Sequence, residues 1–155
     1  MRNSQVRREQ QRLDNLFVKI TAFSDDIELQ SHWARYLCVC VSGFLENSVR
    51  IIYGQYAKNK STPQIANFVE SQLDDFQNPK MDKILRLTRL FSREWESNLK
   101  KDTEGELKDS VDSIVSNRNN IAHGRDVAIT YVRITTYYQN ALKVVDLIEN
   151  QCNPE

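Results

Sequence analysis

The stretch from Asp25 to about Lys58 constrains the fold of this chain most strongly. Its central part, YLCVCVSGFLENSV, is apolar almost all the way round, which is typical of a helix with neighbours on several sides. With a cap at Ser24 or Asp25, such a helix would be roughly 50 Å long at about 1.5 Å per residue. We therefore expect a long central helix in a helical bundle.

The composition also favours helices. Only four glycines and three prolines occur in 155 residues, too few for the frequent turns of a β-sandwich or β-barrel. We predict a single-domain, all-α, antiparallel bundle of five to six helices over residues 1–155. A polar N-terminal helix is expected over 1–23 and the core of the bundle over 25–150.

Local signals predict where the other helices begin and end. Threonine or asparagine before proline is typical of a helix start, because the side chain caps the first turn and proline tolerates the first helical position. Thr62-Pro63 and Asn78-Pro79 have this pattern. The predicted helices run over residues 5–23, 63–73, 79–99 and 106–122; His123-Gly124 ends the last of these, and Thr130 caps a final helix.

The charge balance and the spacing of the cysteines limit the classes of function that we expect. Twenty-one Lys and Arg residues balance 21 Asp and Glu residues, so any basic surface must be local. No segment approaches roughly 18 consecutive apolar residues, and no secretory signal is evident. Cys38, Cys40 and Cys152 lack the spacing of a zinc site and are predicted to be small buried side chains. We expect a cytoplasmic protein with no metal, no cofactor and no membrane partner.

One charged residue interrupts the apolar stripe of the helix predicted over 106–122. The stripe consists of Leu107, Val111, Ile114 and Val115. The next position on that face is Arg118, and a guanidinium there is costly unless it is paired or lines a cavity. Asn119, Asn120 and His123 follow. If the helix ends before Gly124, a turn could bring Arg118 and His123 toward one pocket.

A structural interpretation of these residues is also open. An arginine near a helix C-terminus is favoured by the helix dipole, and a histidine there can cap carbonyl groups. The functional interpretation is preferred because the arginine lies on the apolar stripe and the segment RNNIAHG adds further polar residues near the helix end.

The segment RNNIAH, Arg118 to His123, resembles the signature of HEPN domains: an arginine, a polar residue, three residues and a histidine. Gly124 is also common in that family, where the motif lies between the last two helices of an all-α bundle. The segment over 36–57, YLCVCVSGFLENSVRIIYGQYA, resembles the long helix of the RiboL-PSP type of HEPN domain. The resemblance covers about 25–150.

The resemblance implies an endoribonuclease that cleaves single-stranded RNA without a metal, in host defence, toxin–antitoxin systems or RNA processing. It also implies a homodimer in which two motifs meet across a two-fold axis. Arg118, Asn119 and His123 are then the expected catalytic residues. Histidine can accept or donate a proton near neutral pH, and arginine can bind phosphate oxygens. One motif holds one histidine, so acid and base roles are filled most easily by two protomers.

Other basic residues are candidate RNA contacts. Arg86, Arg89 and Arg93 occupy one arc of the helix predicted over 79–99, either as an RNA-binding stripe or as a solvated face. Arg125, next to the motif, and Asn120, within it, are further candidates.

Glu46 on the long helix is a candidate supporting residue. It could pair with Arg118 and hold its guanidinium, or be a plain surface carboxylate. Gly43, on the same side, could permit close approach of a second helix at a dimer interface. Tyr131, Tyr137 and Tyr138 could stack bases but are more typical of a core or an interface at this spacing.

Two other functions remain open. The chain could be a non-catalytic HEPN-like module that binds RNA or a protein partner in a defence or repair complex. It could also be a structural dimer subunit of a larger defence complex. The intact arginine and histidine favour the enzyme, whereas the balanced charge favours the alternatives. An antitoxin or another protein regulator is a further expected partner.

Overall fold

The computed structural model describes residues 1–22 and 25–153, and in these ranges the chain forms seven α-helices and no strand. The helices are α1 (Ser4–Thr21), α2 (Ile27–Lys60), α3 (Pro63–Asp74), α4 (Met81–Phe91), α5 (Arg93–Thr103), α6 (Glu106–Ala122) and α7 (Tyr131–Cys152). The predicted all-α fold is confirmed, with one more helix than expected. Phe23 and Ser24, at the predicted junction of the first two helices, lie outside the described residues.

Helix α2 is the central helix, as its apolar sequence predicts. It packs against α1, α3, α6 and α7. Its buried side chains point to several neighbours, and Leu37, Val41 and Leu45 are completely buried. The helix begins after Asp26, whose side chain accepts the backbone N–H of Leu29 at 2.9 Å. Its apolar sequence therefore forms the centre of the core.

Length and composition alone would also let α2 cross a membrane. Its most apolar window of 18 residues has a mean hydropathy of 1.2, but 61% of that window is buried in the fold. A helix surrounded by other helices is apolar on several sides for the same reason as a membrane helix. Its position in the bundle accounts for its hydropathy.

Several predicted boundaries are confirmed. Helix α3 begins at Pro63 after Thr62, and α6 spans the predicted 106–122. The Thr130 hydroxyl accepts the backbone N–H of Arg133 at 3.1 Å and so caps α7. These boundaries depend on local chemistry, which the sequence displays directly.

The predicted start of the fourth helix is wrong. Helix α4 begins at Met81 after Lys80, and Asn78 has a positive φ of 53° instead of the extended backbone typical of an N-cap. The expected cap is replaced by Asp112 of α6, whose Oδ1 accepts the Met81 N–H at 2.8 Å. A tertiary contact has therefore moved the helix start.

The predicted end of the fourth helix is also wrong, because Ser92 divides it into α4 and α5. Ser92 is extended, with φ −160° and ψ 129°, and its hydroxyl accepts the Trp95 N–H at 3.2 Å. Arg86 and Arg89 therefore belong to α4, whereas Arg93 is the first residue of α5. The three arginines therefore do not lie on one continuous helix, as the predicted arc requires.

Tyr138 holds α1 against α7. Its ring stacks on Phe17 with centroids 4.8 Å apart, and its hydroxyl donates to Asp14 Oδ1 at 2.7 Å. Burial raises the pKa of Tyr138, so the hydroxyl remains a donor at neutral pH. The Tyr131 hydroxyl donates to the Phe17 carbonyl at 3.1 Å. Both tyrosines thus serve packing, as their spacing favours.

We expect Tyr138→Phe to lower the free energy of unfolding by about 1 kcal/mol, because it removes the bond to Asp14 but keeps the ring. Tyr138→Ala should cost about 3–5 kcal/mol, because the cavity adds to the lost bond. Urea unfolding of both variants measures the difference. If both variants lose the same free energy of unfolding, burial of the Tyr138 ring does not dominate the contact between α1 and α7.

Candidate active site

The C-terminal end of α6 carries the arginine–histidine motif. His123 is the capping residue, and its N–H donates to the Asn119 carbonyl at 3.1 Å. Gly124 has a φ of 67°, and its N–H donates to the Ile121 carbonyl at 3.0 Å. A Cβ at Gly124 would meet nothing within 4 Å, so the positive φ is what favours glycine there. The predicted glycine stop is confirmed.

Arg118 lies where the apolar stripe of α6 reaches the surface, and it is half-buried. Its Nη1 donates to Asn119 Oδ1 at 3.2 Å and is 3.5 Å from Asn78 Oδ1. Both acceptors are neutral amides. Within residues 1–22 and 25–153, no carboxylate forms an ion pair with Arg118. The charge of this guanidinium is therefore available to an anion.

Arg125 and Asn120 form a second arginine–asparagine pair. Arg125 Nη1 donates to Asn120 Oδ1 at 3.2 Å, and the Arg125 N–H donates to the Asn120 carbonyl at 2.9 Å. Both arginines adjoin the C-terminus of α6, whose partial negative charge favours cations. The exposed side chain of His123 lies between them in sequence, without a hydrogen bond or ion pair to another described residue.

The segment after the motif is fixed to α2. Arg35 donates to Asp126 Oδ1 at 2.8 Å and to the Val127 carbonyl at 3.2 Å. Val127 and Ile129 are buried. The chain beyond His123 is thus held by both polar and apolar contacts.

Glu46 contacts the loop that contains Asn78. The place of Asn78 in the candidate site is not evident from the sequence. Glu46 Oε1 is 3.3 Å from Arg50, and its Oε2 accepts the Asn78 N–H at 3.0 Å. Arg50 Nε also donates to the Phe76 carbonyl at 2.9 Å. Asn78 then presents its amide oxygen to Arg118. The predicted direct pair of Glu46 with Arg118 does not form among the described residues: Glu46 pairs with Arg50 and accepts the Asn78 N–H, and Asn78 contacts Arg118.

The remaining candidates differ in their partners. Arg89 is 3.8 Å from Glu96, whereas Arg86 and Arg93 are exposed. The other histidine, His32, is exposed and 4.0 Å from Glu28, at the surface as its sequence position favours. In the described part of the chain, no group of three or more His, Cys, Asp or Glu side chains could hold a metal ion.

The cysteines are mostly inert. Cys38 and Cys152 are buried as predicted, whereas Cys40 is half-buried. Burial raises the pKa of Cys38 and of Cys152 to about 12, so both remain thiols at neutral pH. Neither is a candidate nucleophile.

A sequence model of the family described as RiboL-PSP-HEPN matches residues 4–154. The chain belongs to the RiboL-PSP-HEPN family. HEPN domains are generally associated with ribonuclease activity, and the match covers nearly the whole chain. No curated protein and no solved structure matches it.

In this HEPN domain, the left-handed backbone of Asn78 permits a test of the loop that faces Arg118. We expect Asn78→Ala to lower the free energy of unfolding by about 1 kcal/mol, because alanine is strained at positive φ. Asn78→Gly should be close to neutral, because glycine adopts this conformation freely. Both variants lose the amide, so their difference in urea unfolding reports backbone effects: the strain of alanine at positive φ, partly offset in the comparison by the greater unfolded-chain entropy of glycine. An alanine variant clearly more stable than the glycine variant would contradict a left-handed residue 78.

Proposed function

We propose that this HEPN domain is a metal-independent endoribonuclease that cleaves single-stranded RNA at a composite site in a homodimer. The observation that carries the proposal is the half-buried Arg118, which has only amide partners and lies five residues before an exposed His123 at the end of α6. The association of the family with ribonuclease activity supports the choice of RNA.

The proposed reaction is an internal transfer of the phosphoryl group. The ribose 2′-hydroxyl attacks the adjacent phosphorus while one His123 takes its proton. The bond from phosphorus to the 5′-oxygen breaks, and a second His123 protonates that oxygen. Arg118 binds the non-bridging oxygens as their negative charge grows, and Asn119 orients the phosphate or ribose. The products carry a 2′,3′-cyclic phosphate and a 5′-hydroxyl.

A second protomer would supply the second histidine, and α2 offers a face for its approach. Val39 and Gly43 follow Arg35 at intervals of about one helical turn. Arg35 is also the residue that fixes the segment after the motif. Val39 is 38% exposed, and a Cβ at Gly43 would meet nothing within 4 Å. A glycine inside a helix costs about 1 kcal/mol relative to alanine, and packing within the protomer does not require it. Close approach of a second copy would account for it.

The proposal also includes a cellular setting for the protein. The protein would act in the cytoplasm in defence, in a toxin–antitoxin pair or in RNA processing, under the control of an antitoxin or another protein. Toxicity on expression that His123→Ala relieves would support this setting.

Arg118→Ala and His123→Ala should each reduce cleavage of labelled single-stranded RNA by at least about 100-fold in excess EDTA, because each removes a group that acts on the reacting atoms. Gel electrophoresis with end analysis measures the rate and identifies the cyclic phosphate. His32→Ala is the matched control for histidine and should retain activity.

Circular dichroism and sedimentation must show that the two inactive variants keep the fold and oligomeric state of the parent. Unfolding of both variants would show that the residues are structural. Full activity of His123→Ala would exclude the mechanism. A parent that does not cleave RNA would favour the binding-module alternative.

Mixing the parent with His123→Ala tests whether two protomers share the site. In an equimolar mixture that exchanges subunits freely, about one quarter of the dimers are entirely parental. If both histidines are needed, the rate per total protein should fall to about one quarter of the parent's. A fall to about one half would mean that each motif acts independently.

A further inference from the structure

A cleft beside the candidate active site is lined by three cationic side chains. It has a volume of about 320 Å³ and lies between the loop that precedes α4, the first turns of α4, and α6. Its lining residues are Asn78, Lys80, Asp82, Lys83, Arg86 and Asp112. Neither the family match nor the arginine–histidine motif assigns it a role.

No described carboxylate forms an ion pair with the three cations of the cleft. Lys83 Nζ donates to the Gln77 carbonyl and lies 5.8 Å from the centre of the Phe76 ring, so it is held in place with its charge intact. Lys80 and Arg86 are exposed and form no ion pair with a described residue. All three remain available to an anion.

One of the two carboxylates in the cleft is already occupied. Asp112 Oδ1 accepts the Met81 N–H at 2.8 Å, and its Oδ2 is 2.5 Å from Lys108 Nζ. Its charge is therefore balanced by Lys108. Asp82 alone offsets the three cations, and the cleft keeps a positive surplus. The N-terminus of α4 adds its partial positive charge.

Asn78 borders both the cleft and the candidate active site. This residue lines the cleft, and its Oδ1 is 3.5 Å from Arg118 Nη1. Contacts from α2 hold the loop in place, because Glu46 accepts the Asn78 N–H and Arg50 donates to the Phe76 carbonyl. An anionic chain bound at Arg118 could therefore continue into a fixed, positively charged cleft.

We propose that Lys80, Lys83 and Arg86 form a subsite for the phosphate backbone of single-stranded RNA, next to the phosphate bound by Arg118. The inference rests on the proposed function, since it takes the RNA cleaved at His123 as the ligand. Cations on the edge of a cleft bind phosphates without reading bases, so the subsite should strengthen binding uniformly across sequences.

The test uses His123→Ala as the background, so that labelled single-stranded RNA stays intact. Fluorescence anisotropy measures the dissociation constant over a range of salt concentrations. One variant replaces Lys80, Lys83 and Arg86 with alanine. The matched control replaces Lys60, Lys101 and Lys143 with alanine, which removes the same charge from exposed residues that are neither in the cleft nor among the candidate RNA contacts.

The cleft variant should bind at least about 10-fold more weakly near 0.1 M salt. Its slope of log affinity against log salt should be smaller by about 2, since each contact with a single strand contributes about 0.7. The control should change far less. Circular dichroism must show that both variants keep the parental helix content.

Cleavage of RNA by the parent, compared with RNA binding by the cleft variant, separates this subsite from the proposed nuclease. If the parent cleaves RNA and the cleft variant binds no more weakly than the control, the subsite is wrong and the nuclease stands. If the parent does not cleave but the cleft variant loses binding, the subsite stands without the nuclease. If the background protein binds no single-stranded RNA, the subsite is wrong.

Discussion

The burial of α2 on several sides holds the other elements in place. Helices α1, α3, α6 and α7 all pack against it. Each of them therefore buries its apolar face against α2. Two polar side chains of α2 form hydrogen bonds to connecting segments outside the core. Arg35 holds the chain after His123, and about three turns later Glu46 holds the loop that contains Asn78. The candidate site thus depends on α2, although its proposed catalytic groups lie on α6.

The parts of the fold that sequence predicts are those that local chemistry determines. The bounds of α6, the proline that begins α3 and the cap at Thr130 each follow from one or two neighbouring residues. The asparagine before Pro79 has the same local pattern but a different structure, because its N–H bonds to α2 and a carboxylate of α6 caps the helix instead. Ser92 likewise ends one helix and starts the next, and a continuous helical spacing does not reveal such a break.

The residues of the candidate site likewise fall into those that a short segment reveals and those that depend on tertiary packing. Arg118 and His123 could be identified from sequence because a charge on an apolar stripe and a glycine at a helix end are visible in a short segment. Asn78 could not, since its place depends on how a loop packs across α2 and α6. The cleft beside the site also combines residues from α4, α6 and that loop. Arg86 was a candidate from its charge, but Lys80 and Lys83 gain significance only from their position.

The hydrogen-bonded C-terminus of α6 gives His123 an ordered backbone and an exposed side chain. The N–H groups of His123, Gly124 and Arg125 all bond to carbonyls of α6, and Val127 is buried shortly after them. The backbone at the imidazole is therefore already immobilised, while the side chain is exposed. Only its two side-chain torsions remain to be ordered on binding, an entropic cost of roughly 1 kcal/mol. A large, flexible polymer can thus reach this histidine without requiring the helix end to rearrange.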